Sequence, residues 1–80
     1  MPLQKRWEPL ERSTIGQVPD RYGVYELGDA GGNVVAIEHG PLRDELKGVL
    51  AYRDASKVRW EACQNREHAE RLAEEHRDRL

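Results

Sequence analysis

The sequence predicts one small α/β (α+β) domain, in which helices pack against a three-stranded antiparallel sheet in the order β-β-α-β-α. Two observations predict this class. Residues 23–50 combine two strand-like runs with an amphipathic helix, and residues 57–63 alternate between apolar and polar side chains. The length of 80 residues allows one domain. We place that domain at residues 1–80 and expect residues 1–15 to form an N-terminal extension that packs on or near the core.

The first predicted element is a β-hairpin. Its strands are residues 23–27 and 33–39, and the loop between them, residues 28–32, is rich in glycine. A short glycine-rich loop between two strands is typical of a hairpin. Val35 and Ile37 favour a pleated surface. Because the second strand carries a run of apolar residues, we expect it to be buried on both faces and to be the central strand.

The next element is a helix that begins at Gly40 and Pro41, since proline at the first helical position sacrifices no hydrogen bond. Apolar residues then follow with the spacing i, i+4, i+7 and i+8: Leu42, Leu46, Val49 and Leu50. This spacing gives the helix one apolar stripe that packs on the sheet. Gly48 lies within the helix, and we expect it to permit close packing against the sheet.

The last strand and the last helix complete the predicted domain. The clearest period-two pattern in the chain puts three apolar residues on one side of the strand, namely Val58, Trp60 and Ala62. Its other side carries Lys57, Arg59, Glu61 and Cys63. Asn65 is a favourable N-cap for the final helix. The apolar seam of that helix consists of Ala69, Leu72, Ala73, His76 and Leu80.

The composition favours a cytoplasmic protein. Cys63 is the single cysteine, which fits a reducing compartment. No apolar run approaches the ~20 residues of a membrane span, and residues 1–10 lack an apolar signal segment. We therefore expect no membrane partner. The net charge of −2 disfavours a nonspecific nucleic-acid binder, although it leaves room for a local basic face.

The histidines and the cysteine do not predict a metal site. His68 and His76 are two helical turns apart, whereas chelating pairs on a helix usually have i, i+4 spacing. Cys63 has no partner in a C-x-x-C motif, and it follows the polar side of its strand. We expect boundary histidines, an inert half-buried thiol and no resident cofactor.

Three short segments resemble motifs of the GIY-YIG endonuclease superfamily. They are Gly-Val-Tyr at residues 23–25, Val-Ala-Ile-Glu at residues 35–38, and the pair Leu42 and Arg43. That superfamily has the same β-β-α-β-α order, and the resemblance covers roughly residue 15 to the C-terminus. It implies a catalytic role for Tyr25 and Arg43 and a divalent metal ion held by a glutamate on the last helix.

The sequence departs from the superfamily where its chemistry needs particular side chains. Ala36 and Glu38 stand in place of the second tyrosine and the closing glycine, and Ala73 stands at the glutamate position. Glu38 also puts a negative charge beside the implied phosphate site, which would repel DNA. We therefore expect a non-catalytic binding or interaction module whose partner is a nucleic acid or another protein.

Three alternatives remain open. A divergent metal-dependent DNA endonuclease would use Tyr25 and Arg43, with His39 assisting proton transfer. Its Mg²⁺ or Mn²⁺ would be held by a nearby carboxylate, with the choice lying among Glu74, Glu70 and Glu38. Nucleic-acid binding without cleavage would use basic residues from the helix, the connection and the last strand: Arg43, Arg53, Lys57 and Arg59. Self-association would use Trp7, Trp60 or the last helix.

Overall fold

The computed structural model describes residues 6–52 and 55–78. The elements in chain order are β1 (Glu8–Pro9), α1 (Arg12–Ile15), β2 (Tyr22–Gly28), β3 (Val34–Pro41), α2 (Leu42–Tyr52), β4 (Lys57–Ala62) and α3 (Arg66–Asp78). The strands form one antiparallel sheet in the order β1-β4-β2-β3. The predicted α+β class, with helices packed against an antiparallel sheet, is confirmed.

The sheet has four strands in the described part of the chain, one more than predicted. The additional strand β1 is two residues long, and it pairs Glu8 with Val58 and Pro9 with Lys57. A pair of residues is too short to show a period-two pattern, and proline is depleted in strands. The short helix α1 was also not predicted.

The prediction that the second hairpin strand is central is wrong. β2 is the central strand, because it pairs with both β3 and β4. Every residue from Gly23 to Gly28 is buried, whereas β3 lies at the edge of the sheet and Val35 is 55% exposed. The apolar run of β3 thus does not reflect burial on both faces, whereas residues 23–28 of β2 are all buried even though Glu26 interrupts the apolar residues.

One face of the sheet packs against α1 and α2. The alternation predicted for β4 is confirmed here, since Trp60 lies opposite Tyr25 and Val58 lies opposite Leu27 in the register. The buried core on this face comprises Ile15, Val18, Tyr25, Leu27, Leu42, Leu46, Val49 and Val58. Gly48 does not mediate the packing, because a Cβ added there would have no neighbour within 4 Å. The expectation of a close approach at this glycine is wrong.

The other face packs against α3. Its buried core comprises Val24, Ile37, Cys63, Ala69 and Ala73. The predicted seam of α3 is confirmed at Ala69, Ala73 and His76, which are buried, while Leu80 lies outside the described residues. Asn65 caps the helix as predicted, accepting the His68 backbone N–H at 2.9 Å.

Cys63 lies in this core with 2% of its surface exposed, so the expectation of a half-buried position on the polar side is wrong. β4 ends at Ala62, and Cys63 therefore no longer follows the strand alternation. Among the residues that the structure describes, no helix has the length and apolar character to cross a membrane.

Candidate functional site

Tyr25 lies within the packed core on the α2 face of the sheet. It is 3% exposed, and its hydroxyl donates a hydrogen bond to Glu45 Oε1 at 3.1 Å. Gly40 makes room for this contact, because a Cβ at that position would lie 2.8 Å from Glu45 Cγ. Gly40 also has a φ of +149°, which favours glycine. The Tyr25 hydroxyl is therefore directed at a carboxylate of α2.

A pocket of about 280 Å³ lies where β2 and β3 meet the beginnings of α2 and α3. Its lining consists of Tyr22, His39, Gly40, Pro41, Glu45 and Arg66. His39 and Glu45 thus share one pocket, and Tyr25 is linked to that pocket through its bond to Glu45. Of the residues predicted for catalysis, His39 lines this pocket, whereas Tyr25 reaches it only through Glu45. The register pairs His39 with Val24, which faces α3, while Tyr25 faces α2.

Arg43 lies in a different place. Its Nε donates to the Val18 backbone oxygen at 3.2 Å. Positions 43 and 45 differ by about 200° around a helix, so Arg43 and Glu45 point in nearly opposite directions. Arg43 instead lines a groove of about 490 Å³ between α1 and α2, which we call the cationic groove. Its lining consists of Arg12, Ile15, Gly16, Arg43, Lys47 and Leu50.

Two of the glutamates proposed as metal ligands, Glu70 and Glu74, lie on α3, which packs on the face of the sheet opposite Tyr25. The third, Glu38, lies on β3. Glu70 Oε1 accepts a hydrogen bond from Arg66 Nε at 3.1 Å, and Glu74 is exposed. Glu38 Oε1 lies 3.3 Å from Arg77 Nη2. Within residues 6–52 and 55–78, no three acidic, histidine or cysteine side chains are close enough together to hold a metal ion.

Of the four basic residues predicted for nucleic-acid binding, the three that the structure describes are not all brought together. Arg43 lines the cationic groove, whereas the alternation of β4 puts Lys57 and Arg59 on the α3 face. Arg59 is engaged inside the protein, with its Nε 2.6 Å from Glu26 Oε1 and its side chain 14% exposed. Arg53 lies outside the described residues.

The sequence reasoning missed a buried ionic cluster centred on Glu26, which we call the Glu26 cluster. The Glu26 side chain is 0% exposed and accepts the bond from Arg59 through Oε1. Its other oxygen, Oε2, lies 3.3 Å from His76 Nδ1, a buried atom that has no hydrogen-bond partner among the described residues. The Arg59 guanidinium in turn lies over the Trp7 ring, 4.0 Å from its centroid. The cluster thus connects β2, β4, α3 and the N-terminal segment.

Trp7 seals one side of the Glu26 cluster. Its ring packs directly on Gly28, where a Cβ would lie 2.8 Å from the Trp7 Cη2 atom. The signal that could have revealed the cluster is the register, since Glu26 and Arg59 are directly opposed in adjacent strands. Opposite charges at such positions attract each other. Finding that register from sequence requires knowing that β4 pairs with β2.

A family model described as a domain of unknown function (DUF7508) matches residues 1–79 of the chain. No match was found among the curated proteins or the solved structures.

Proposed function

We propose that this chain, which belongs to the DUF7508 family, is a small non-catalytic binding module that takes an anionic partner in its cationic groove. One observation carries the proposal. Arg12, Arg43 and Lys47 surround a single groove, and none of them forms an ion pair with a carboxylate of the described residues. These three positive charges are therefore available to a partner.

One cation of the groove, Arg43, is preorganised for binding. Arg43 is fixed by its hydrogen bond to the Val18 carbonyl, so less side-chain entropy is lost when a partner binds. The protein as a whole carries a net charge of −2. A local concentration of positive charge on such a protein attracts anions to one place rather than over the whole surface.

The position of Tyr25 supports binding rather than catalysis. Its hydroxyl is buried and bonded to Glu45, whereas a proton-transferring tyrosine must reach the attacking water. Arg43 points away from it into the groove. The two side chains that the GIY-YIG resemblance would place around one phosphate thus serve two separate regions of this fold.

The binding proposal is tested by fluorescence anisotropy with two labelled anionic probes, a poly-glutamate peptide and a single-stranded oligo-dT. We expect at least one of them to bind at low ionic strength and to be released by salt. Lys47→Gln should weaken that binding about two- to fivefold, the effect of an exposed ion pair of roughly 0.5–1 kcal/mol.

Arg71→Gln is the matched control, because it also removes one exposed positive charge from a helix but lies on α3, away from the groove. It should leave the affinity unchanged. Failure of both probes to bind, or an equal loss of affinity in the two variants, would overturn the proposal.

A second candidate function is divergent metal-dependent DNA cleavage. The observation that favours it is the pocket shared by His39 and Glu45, the latter bonded to Tyr25. The test is incubation with branched, single-stranded and duplex DNA in the presence of Mg²⁺ or Mn²⁺. We expect no cleavage. Metal-dependent cleavage that is lost in His39→Ala and retained in His68→Ala, a histidine outside the lining of this pocket, would replace the binding proposal.

A further inference from the structure

The lining of the cationic groove indicates what kind of anion it binds. Building on the proposed function, we infer that the partner is an acidic protein segment that also carries an apolar side chain. The groove combines the cations Arg12, Arg43 and Lys47 with the apolar walls of Ile15 and Leu50. A partner that fills it therefore needs carboxylates and an apolar group close together.

Gly16 keeps the groove open. It lies in the lining and has a φ of −62°, a conformation that any residue adopts. A Cβ at this position would meet the Ser13 backbone oxygen at 3.5 Å, which is an ordinary contact. The backbone thus does not require glycine here, and the missing side chain leaves space in the groove for an apolar group of the partner.

Arg43 gives the groove a pair of donors that can bind a carboxylate. Because its Nε is bonded to the Val18 oxygen, the guanidinium is held in one orientation and its two Nη groups remain for a partner. Paired N–H donors of this kind match the two oxygens of a carboxylate. Lys47 is exposed at the groove and supplies a mobile charge for a second acidic side chain.

A nucleic acid fits the groove less well. Among the described residues, the lining contains no aromatic side chain on which a base could stack. Duplex DNA carries one charge per ~1.7 Å of its axis, and three cations match only a short stretch of it. Glu11 and Asp44, exposed next to Arg12 and Arg43 in the chain, repel any anion and limit the negative charge that the groove can take, which favours a short acidic segment over a long polyanion. A volume of about 490 Å³ holds a few side chains of a peptide.

The test compares three fluorescent probes of similar length: a 12-residue peptide alternating glutamate and leucine, the same peptide with serine for leucine, and a single-stranded oligo-dT. We expect the glutamate–leucine peptide to bind best. Its advantage over the serine peptide should be on the order of tenfold, the effect of burying one leucine side chain. Gly16→Leu, which fills the groove, should remove this advantage, whereas Gly48→Ala on the same side of the sheet should retain it.

The outcomes separate this inference from the proposed function. Tighter binding of oligo-dT than of either peptide, or equal binding of the two peptides, would overturn the inference and leave an anion-binding groove in place. Absence of binding by all three probes would overturn both. Circular dichroism shows whether Gly16→Leu is folded. If it is not, Lys47→Gln, at an exposed position, gives an independent loss of affinity.

Discussion

The two faces of the sheet are closed by different means. On the α2 face, Leu42 and Leu46 are fully buried and belong to the same core as Leu27 and Val58 of the strands. On the α3 face, the helix presents the alanines Ala69 and Ala73, and the sheet contributes the buried Glu26 cluster. The first face is stabilised by apolar volume, which tolerates gradual change. The second depends on a buried carboxylate whose burial is unfavourable without the positive charge of Arg59.

This difference also bears on function. Tyr25 is packed in the core of the α2 face, and Arg59 is paired with Glu26 on the α3 face. Two residues that the sequence suggests for chemistry and for nucleic-acid binding therefore have structural partners. The cationic groove lies between α1 and α2, outside both packed faces, and we propose that its charged side chains bind a partner.

The largest effect is expected for Glu26→Ala. Removing the carboxylate leaves the Arg59 guanidinium, 14% exposed, without its buried partner, and breaking such a pair costs about 3–5 kcal/mol. Urea unfolding followed by circular dichroism measures the loss. Glu74→Ala, at an exposed position of α3, should change the free energy of unfolding by less than ~0.5 kcal/mol. A loss below about 1 kcal/mol in Glu26→Ala would mean that the two faces do not differ as described.

A smaller effect on the free energy of unfolding is expected when Gly28 or Gly48 is replaced by alanine, and the two substitutions should act in opposite directions. Gly28→Ala forces a methyl group against the Trp7 ring, and overpacking of this kind costs about 1–3 kcal/mol. Tryptophan emission should shift as the ring is displaced. Gly48→Ala meets no neighbour and should stabilise the helix by roughly 0.5–1 kcal/mol. If both variants changed stability equally and in the same direction, Trp7 would not be packed on Gly28.

The smallest effect concerns the thiol on the α3 face. Burial, with a further contribution from Glu61, raises the pKa of Cys63 above its usual value of 9.0. A raised pKa means that the folded state holds the thiol proton more tightly than the unfolded state does. Its contribution to stability is therefore fully present below the unfolded pKa and is lost as the pH rises through the folded value.

Two measurements check this behaviour of Cys63. A thiol reagent at neutral pH should react only at the rate at which the protein opens, and Cys63→Ala should reduce the decline in stability at alkaline pH. Rapid reaction of the folded protein would contradict the buried position.

The sequence predicts those parts of the fold that rest on local patterns. The alternation around Val58 and Trp60 identified β4, and Asn65 identified the start of α3, because each signal lies within a few residues. The prediction of close packing at Gly48 was wrong. A glycine within a helix suggests a close approach, whereas a Cβ at this position would have no neighbour within 4 Å.

The Glu26 cluster could not be predicted in this way. A glutamate between Tyr25 and Leu27 indicates a solvent-facing position, and only the pairing of β2 with β4 brings Arg59 opposite to it. Similarly, Arg43 matched a motif through its spacing along the chain, but its direction depends on where α1 and Val18 pack. The surroundings of both side chains are thus determined by contacts between residues that are far apart in the sequence.

For function, the decisive question is whether the Tyr25 hydroxyl serves the fold or remains available for chemistry. A double-mutant cycle on the free energy of unfolding, with Tyr25→Phe, Glu45→Ala and the double variant, isolates the contact between the two side chains. Their hydrogen bond, 3.1 Å long, predicts a favourable coupling of about 1 kcal/mol. A coupling near zero would contradict the structural role of Tyr25 and return it to the candidates for catalysis.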